Sequence, residues 1–222
     1  MRCRPAATSA RTTSSDTKMF MRVGKGQRDE RGTFQSMNIT KIELPDVWLV
    51  NPRRHGDHRG FFAETYSQRA YAGLGIDASF VQDNHSVSAA VGTVRGLHFQ
   101  APPAAQAKLV RCGRGAIFDV AVDIRRGSPT YGHWAGYTLS AENGAQLYIP
   151  VGFAHGFATL APDSEIIYKC SDYYAPEAEG ALRWDDPDIG IEWPLTSAPV
   201  LSGKDASAPL LAGFNSPFTF EG

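Results

Sequence analysis

The chain has 222 residues, a formal net charge of −1, 42% hydrophobic residues and 20% charged residues. That composition suits a soluble globular domain, with or without an appendage, long enough to bury a sizeable core. It offers no basic field for nucleic acid, and no apolar run approaches the ~20 residues that span a bilayer.

The first 36 residues contain no leucine or isoleucine, one valine, and eight Lys/Arg against three Asp/Glu. Such a segment buries too little apolar surface to offset the entropy of ordering it. We therefore expect a disordered, dispensable N-terminal extension over 1–36 and a folded domain over 37–222. The Arg- and Ser-rich start shares a bias with transit peptides but lacks an amphipathic period, and Met37 is an alternative natural start. From there "MNITKIELPDVWLV" reads as a first strand. "RRHGDHRG", carrying His55 and His58, reads as a solvated charged loop, and only "SQRAYAGLGI" looks helical.

Short β-rich runs follow. In "GTVRGLHFQ", residues 92 to 100, strict alternation puts Arg95 and His98 on opposite faces, but Gly96 permits a bulge that brings both toward one cavity. "KLVRC" joins "AIFDVAVDIR" through "GRG", a hairpin-like break. In the second run Phe118, Val120, Val122 and Ile124 share one face, and Asp119, Asp123 and Arg125 the other. "QLYIP", "FATLA" and "EIIYKCSDYY" continue the pattern, with Gly and Pro clustered between them. Many closely spaced strands predict a sandwich or small barrel rather than βαβ units. Cys3, Cys112 and Cys170 are odd in number and lack C-x-x-C spacing, which favours reduced thiols in a cytoplasmic protein.

There is no Walker loop, G-x-G-x-x-G, G-x-S-x-G or H-E-x-x-H. The six histidines show neither H-x-H nor helical i, i+4 spacing, so no metal site is expected. What remains is an acid–base vocabulary of His98, His155, Lys108, Tyr168, Tyr173, Tyr174, arginines and carboxylates. Taken singly, each has a plainer role. His98 suits a satisfied core histidine equally well, Tyr168 alternating with Ile166 and Cys170 suits core, and Lys108 opening a strand suits a solvated surface.

In order along the chain come "FVQDNHS", "RGLHFQ", "KLVRC", "GAIFDVAVDIR", "IPVGFAHGF", "YKCSDYYAPEAEG" and "WDDPDIGIEWP". Together they resemble the dTDP-4-dehydrorhamnose 3,5-epimerase family, from about Met37 to about Lys204. The resemblance implies an all-β, double-stranded β-helix (cupin-like jelly roll) with a few short helices, forming a homodimer. It implies inversion of C3 and C5 in a dTDP-linked 4-keto-6-deoxyhexose without metal or redox cofactor, and no nucleic-acid or membrane partner. Both carbons flank the C4 ketone, so each proton is acidic only if the enolate is stabilised. Inversion needs a base on one ring face and an acid on the other.

By the same resemblance His98 is the proton-abstracting base, Asp205 of "GKD" its partner carboxylate, Tyr168 the proton donor and Lys108 the cation facing the C4 oxygen. Arg95 and Arg59 match arginines that grip the pyrophosphate and nearby oxygens. Glu64, Gln82, Asn84, His155, Glu179 and Lys204 match further substrate contacts, and Tyr174, or its neighbour Tyr173, stacks on the thymine. The competing readings are a sugar-nucleotide epimerase acting at C3 or C5 alone and a non-catalytic nucleotide-sugar-binding cupin.

Overall fold

The computed structural model describes residues 37–42 and 44–222 and has thirteen strands among them, the longer ones carrying the β-branched and aromatic residues of the chain's apolar runs. The extension expected over 1–36 lies outside the described residues. The N-terminal strands are β1 (Met37–Lys41) and β2 (Trp48–Pro52), then β3 (His55–Asp57) and β4 (Gly60–Phe62). Helix α1 (Gln68–Gly73) precedes β5 (Gln82–Ser88), β6 (Val94–Gln100), β7 (Lys108–Arg114) and β8 (Ala116–Asp123). There follow β9 (Trp134–Ser140), β10 (Gln146–Ile149), β11 (Phe153–Thr159), β12 (Ser164–Cys170), β13 (Glu179–Ala181) and the one-turn helix α2 (Gly203–Ala206).

Six strands form one sheet in the order β1-β2-β10-β7-β12-β5, and five form another in the order β13-β6-β11-β8-β9. From β5 onward the chain passes back and forth between the sheets, which is the winding of a cupin-like jelly roll. Between the sheets, Val110, Leu147 and Ile166 meet Ile117, Leu139 and Phe153 in one buried cluster. Fully burying an aliphatic side chain contributes ~1.5–3 kcal/mol, so this interior holds the two walls in register around whatever lies at its open end.

Two expectations are corrected. The run from Met37 is not one strand but an antiparallel pair, β1 and β2, with Met37 opposite Pro52. Asp46 and Val47 lie in the connection between them, where Val47 N–H donates to Leu44 O at 3.2 Å. The "GRG" break is not a hairpin. Gly115, at φ +74, turns the chain from β7 in one sheet to β8 in the other. β7 takes its partners from β10 and β12 instead.

The alternation of β8 is real, but neither of its faces meets solvent. Val120 and Val122 pack outward under Leu182, Ile189 and Phe218 of the C-terminal segment, while Ile117 and Ala121 point into the sandwich. Asp119 and Asp123 are both 0% exposed. Asp123 is neutralised by Arg125 at 2.8 Å and accepts from the Ser128 and Thr130 hydroxyls, a buried anchor that holds the β8–β9 turn. Cys112 and Cys170 are free and buried.

Candidate active site

β6 runs between β11 and β13, so His98 lies opposite both His155 and Ala181. The β6–β11 register slips by one residue. His98 pairs with His155 but Arg95 pairs with Phe157, so β6 uses three steps where β11 uses two. The extra residue is a bulge at Gly96, whose φ of +123 favours glycine. A Cβ on Gly96 would stand 2.5 Å from Gly156 Cα, so a glycine faces a glycine where the two backbones close up. The bulge turns Arg95 and His98 to the same side, and both line one cleft.

That cleft consists of two adjoining hollows of about 260 and 390 Å³ that share His98, Lys108 and Tyr168. His98 comes from the five-stranded sheet, Tyr168 and Lys108 from the six-stranded one. His98 Nε2 lies 2.6 Å from Asp205 Oδ1, and Asp205 is 3% exposed. With Nε2–H donating to the carboxylate, Nδ1 keeps a free lone pair. A second pair sits beside it, His155 Nε2 at 2.8 Å from Asp119 Oδ1.

Burial lowers the proton affinity of His98; the hydrogen bond and charge of Asp205 oppose this, while the ammonium groups of Lys108 and Lys204 add to it. Burial also lowers that of Lys108, against the raising effects of Cys170, Asp119 and Glu179. The Tyr168 phenol is pushed up, by burial first, so it holds its proton above its ordinary range. The cleft therefore brings together an imidazole that burial disposes to be neutral, a phenol that holds its proton and an amine that holds its proton less tightly than usual. This is the set needed to take one proton and give another.

At the rim, Lys204 pairs with Glu179 at 2.5 Å, and Tyr174 O–H donates to Glu179 Oε2 at 3.3 Å. Gln82 Oε1 accepts the Tyr174 backbone N–H at 2.9 Å, and Gln82 Nε2 donates to Asn84. Tyr174 lines the cleft with Gln82, Asn84 and Glu179, whereas Tyr173 is not among the lining residues. Arg95 donates through Nε to Ser88 Oγ at 3.1 Å. Two expected contacts lie elsewhere. Arg59, on the β3–β4 hairpin, has its side chain 78% exposed and paired with Asp57, and neither Arg59 nor Glu64 lines the cleft.

The cleft also contains residues that sequence reasoning passed over: Ser86, Phe157 and Ser202 in one hollow, Phe99, Gln100 and Gln106 in the other. Gln100 carried a signal, being a polar residue buried at the end of an apolar strand. It donates to Tyr173 O at 2.9 Å and accepts from Ala175 N–H at 3.0 Å, fixing the loop that bears Tyr174. Among the described residues no group of three or more His, Cys, Asp or Glu is placed to hold a metal ion.

A family model for dTDP-4-dehydrorhamnose 3,5-epimerase matches residues 41–213. The chain belongs to this family. The epimerase is 54% identical over 176 residues to dTDP-4-dehydrorhamnose 3,5-epimerase of Salmonella typhimurium, covering 79% of this chain and 96% of that protein. It superposes on the Legionella pneumophila dTDP-6-deoxy-D-glucose-3,5-epimerase, solved in complex with dTDP-4-keto-L-rhamnose. There the TM-score is 0.78 at 47% identity, over 81% of this chain and 95% of that one. It also resembles a 3'-monoepimerase from Streptomyces bikiniensis in complex with dTDP-quinovose, with a TM-score of 0.73 at 38% identity over 77% and 86% of the two chains. The cupin-like jelly roll is thus the fold of its relatives, and the epimerase is an isomerase.

Proposed function

We propose that the chain converts dTDP-4-dehydro-6-deoxy-D-glucose to dTDP-4-dehydro-L-rhamnose by inverting C3 and C5, in the cytoplasmic synthesis of dTDP-L-rhamnose. The observation that carries this reading is the pairing of a carboxylate-held His98 on one sheet with Tyr168 on the other, both lining one cleft. A ketosugar ring between the sheets meets a base on one face and an acid on the other.

His98 removes the proton α to the C4 ketone. The pair of electrons moves into the ring to form an enolate, and Lys108 stabilises the oxygen that becomes negative. Tyr168 then delivers a proton to the opposite face of the same carbon. Once His98 has released its proton to solvent and Tyr168 has taken one back, the same step at the second carbon completes the double inversion. Arg95 and Lys204 bind the anionic part of the nucleotide, and Tyr174 stacks on the thymine. Gln82, Asn84, His155 and Glu179 supply the remaining polar contacts.

The proposed homodimer gives Arg59 and Glu64 their part. The hairpin that bears Arg59, which Glu64 follows, exposes Phe61 and Phe62 at 59% and 72%, and neither Arg59 nor Glu64 lines the cleft of its own protomer. In a dimer this hairpin binds substrate in the partner's cleft.

The decisive experiment is incubation with the 4-keto-6-deoxyglucose nucleotide in deuterated water, followed by NMR. Deuterium at both C3 and C5 with inversion at both supports double epimerisation. Inversion at C3 alone favours the second reading, an activity like that named for the Streptomyces bikiniensis relative. His98→Asn should abolish both exchange and inversion, because an amide cannot accept the proton. Tyr168→Phe should lose inversion by ~10²–10⁴-fold while retaining more of the exchange. Near-normal inversion by His98→Asn refutes the assignment of the base.

A further inference from the structure

The carboxylate that holds His98 arrives from 107 positions along the chain, and its delivery is built into a single turn of helix. Val94 N–H donates to Val200 O at 3.0 Å and Val200 N–H to Gly92 O at 2.9 Å, which ties the incoming C-terminal segment alongside β6. Ser202 then caps α2, with extended backbone at φ −74 and ψ 157. Ser202, Gly203, Lys204 and Asp205 form an S-x-x-D sequence of the capping-box type. In an ordinary box the third-position carboxylate reaches back to the cap's backbone N–H.

Here the carboxylate has other partners. Asp205 N–H donates to Ser202 Oγ at 3.1 Å, and the Ser202 hydroxyl donates in return to Asp205 Oδ2 at 2.9 Å. The other oxygen, Oδ1, faces His98 Nε2 at 2.6 Å. Each carboxylate oxygen is thereby taken by one donor, and rotation about the carboxylate breaks both bonds at once. The carboxylate can only accept and the hydroxyl has one proton to give, so the direction of their hydrogen bond is fixed, while the same hydroxyl oxygen accepts the backbone N–H.

We propose that Ser202 is a positioning residue for the base: its hydroxyl pins Asp205 Oδ2 so that Oδ1 keeps His98 in the Nε2–H tautomer, with Nδ1 left to accept the substrate proton. This rests on the reading of His98 as the base. Ser202 does not itself act on the sugar, and a serine serving only as a helix cap would affect folding but not the imidazole.

Three variants separate these roles. Ser202→Ala removes both the cap and the hydroxyl donor. Ser202→Asp retains an oxygen for the Asp205 N–H but has no proton to give at neutral pH. Ser202→Thr keeps both functions. Side-chain ¹⁵N NMR of His98 in the free protein reads the tautomer, and steady-state kinetics with thermal melting read the rest.

We expect a single Nε2–H tautomer in the wild type and in Ser202→Thr, and a mixture with the Nδ1–H form in both Ser202→Ala and Ser202→Asp. In those two variants kcat should fall about tenfold, the typical loss for one hydrogen bond to a charged group, with KM little changed. Ser202→Asp should fold but melt below the wild type, because it sets a second carboxylate beside Asp205, and Ser202→Thr should recover most of the turnover. Wild-type tautomer and kcat in Ser202→Asp overturn the proposal, even if Ser202→Ala does not fold. The tautomer is read without substrate, so it stays separate from the assignment of the base. If His98→Asn still exchanges deuterium, that assignment fails, while a tautomer change in the Ser202 variants still supports the hold of Ser202 on His98.

Discussion

Gly156→Ala tests whether the glycine contact across β6 and β11 is what puts Arg95 and His98 on one side. A Cβ at Gly156 would stand 2.8 Å from Arg95 O, 3.1 Å from Leu97 Cδ2 and 3.2 Å from Gly96 Cα. Two of these three atoms are backbone, and they belong to the bulge itself. Relief therefore requires β6 to move away from β11. Overpacking of this kind destabilises by about 1–3 kcal/mol, or about 2–12 °C of melting midpoint for a chain of this length. The larger effect should fall on turnover, because a ~1 Å displacement of a reacting group is worth about 10²-fold. Arg95 and His98 flank the point that has to move.

Urea unfolding and the deuterium-exchange NMR assay, run on the same folded sample, check both parts. Gly73→Ala is the control, since a Cβ there meets nothing within 4 Å and the site lies at the end of α1; its stability and turnover should match or slightly exceed the wild type. If Gly156→Ala is as stable and as active as Gly73→Ala, the close approach does not set the bulge and the explanation given for the shared face of Arg95 and His98 is wrong.

The pH profile carries a signed expectation. As the proposed base, His98 must be neutral to act, and burial lowers its proton affinity, so the acid limb of kcat/KM should lie below the ordinary imidazole range of ~6.5. The alkaline limb should include discharge of Lys108, whose hold on its proton burial weakens, while burial makes Tyr168 hold its proton more tightly than usual. Lys108→Met should lower kcat by ~10²–10³-fold through loss of oxyanion stabilisation. It should also move the acid limb upward, because the Lys108 ammonium is one of the groups holding His98 down; a limb that stays put or moves downward contradicts that coupling. For the dimer, Arg59→Ala and His98→Asn should each be nearly inactive alone. Mixed and reassorted, they should recover about a quarter of wild-type turnover, since random two-fold pairing makes half the dimers mixed with one complete cleft each. No recovery would mean that Arg59 acts on its own protomer, and an active Arg59→Ala would mean that it does not act at all.

The strands of this fold were legible because their side chains obey a period of two, and β8 shows where that legibility stops. Val120, Val122 and Ile124 separate cleanly from Asp119 and Asp123 by alternation. Alternation does not say what lies over each face, however. Here a C-terminal segment bearing Leu182, Ile189 and Phe218 covers the outer face, and the acidic face is interior. A carboxylate inside a sandwich requires a partner, which Asp123 finds two residues away in Arg125 and Asp119 finds 36 positions away in His155. Local pattern reaches the first partner and misses the second. The "GRG" break failed for the same reason. Short spacing with glycine fits a hairpin, but whether β7 pairs with β8 depends on β10 and β12 competing for its edges, and those lie far along the chain.

The site divides along the same line. Gly96 signalled a bulge in sequence because alternation alone would have placed Arg95 and His98 apart, and the observed register slip lies at that position. Asp205, and the donor role of Tyr168, were reached only through the family resemblance. Nothing near His98 in sequence points to a helix turn beyond Val200 or to a strand of the opposite sheet. Arg59 shows the converse limit: a residue matched to substrate binding stands on an exposed hairpin outside the cleft of its own chain. A motif records which side chains the chemistry uses, whereas the winding of the chain determines which of them meet in one cleft; the proposed homodimer would bring Arg59 to the cleft of a second copy. The S-x-x-D turn at Ser202 stands between these cases. As sequence it is an ordinary helix start, and the role proposed for it becomes visible only once the fold has placed its carboxylate 2.6 Å from a histidine.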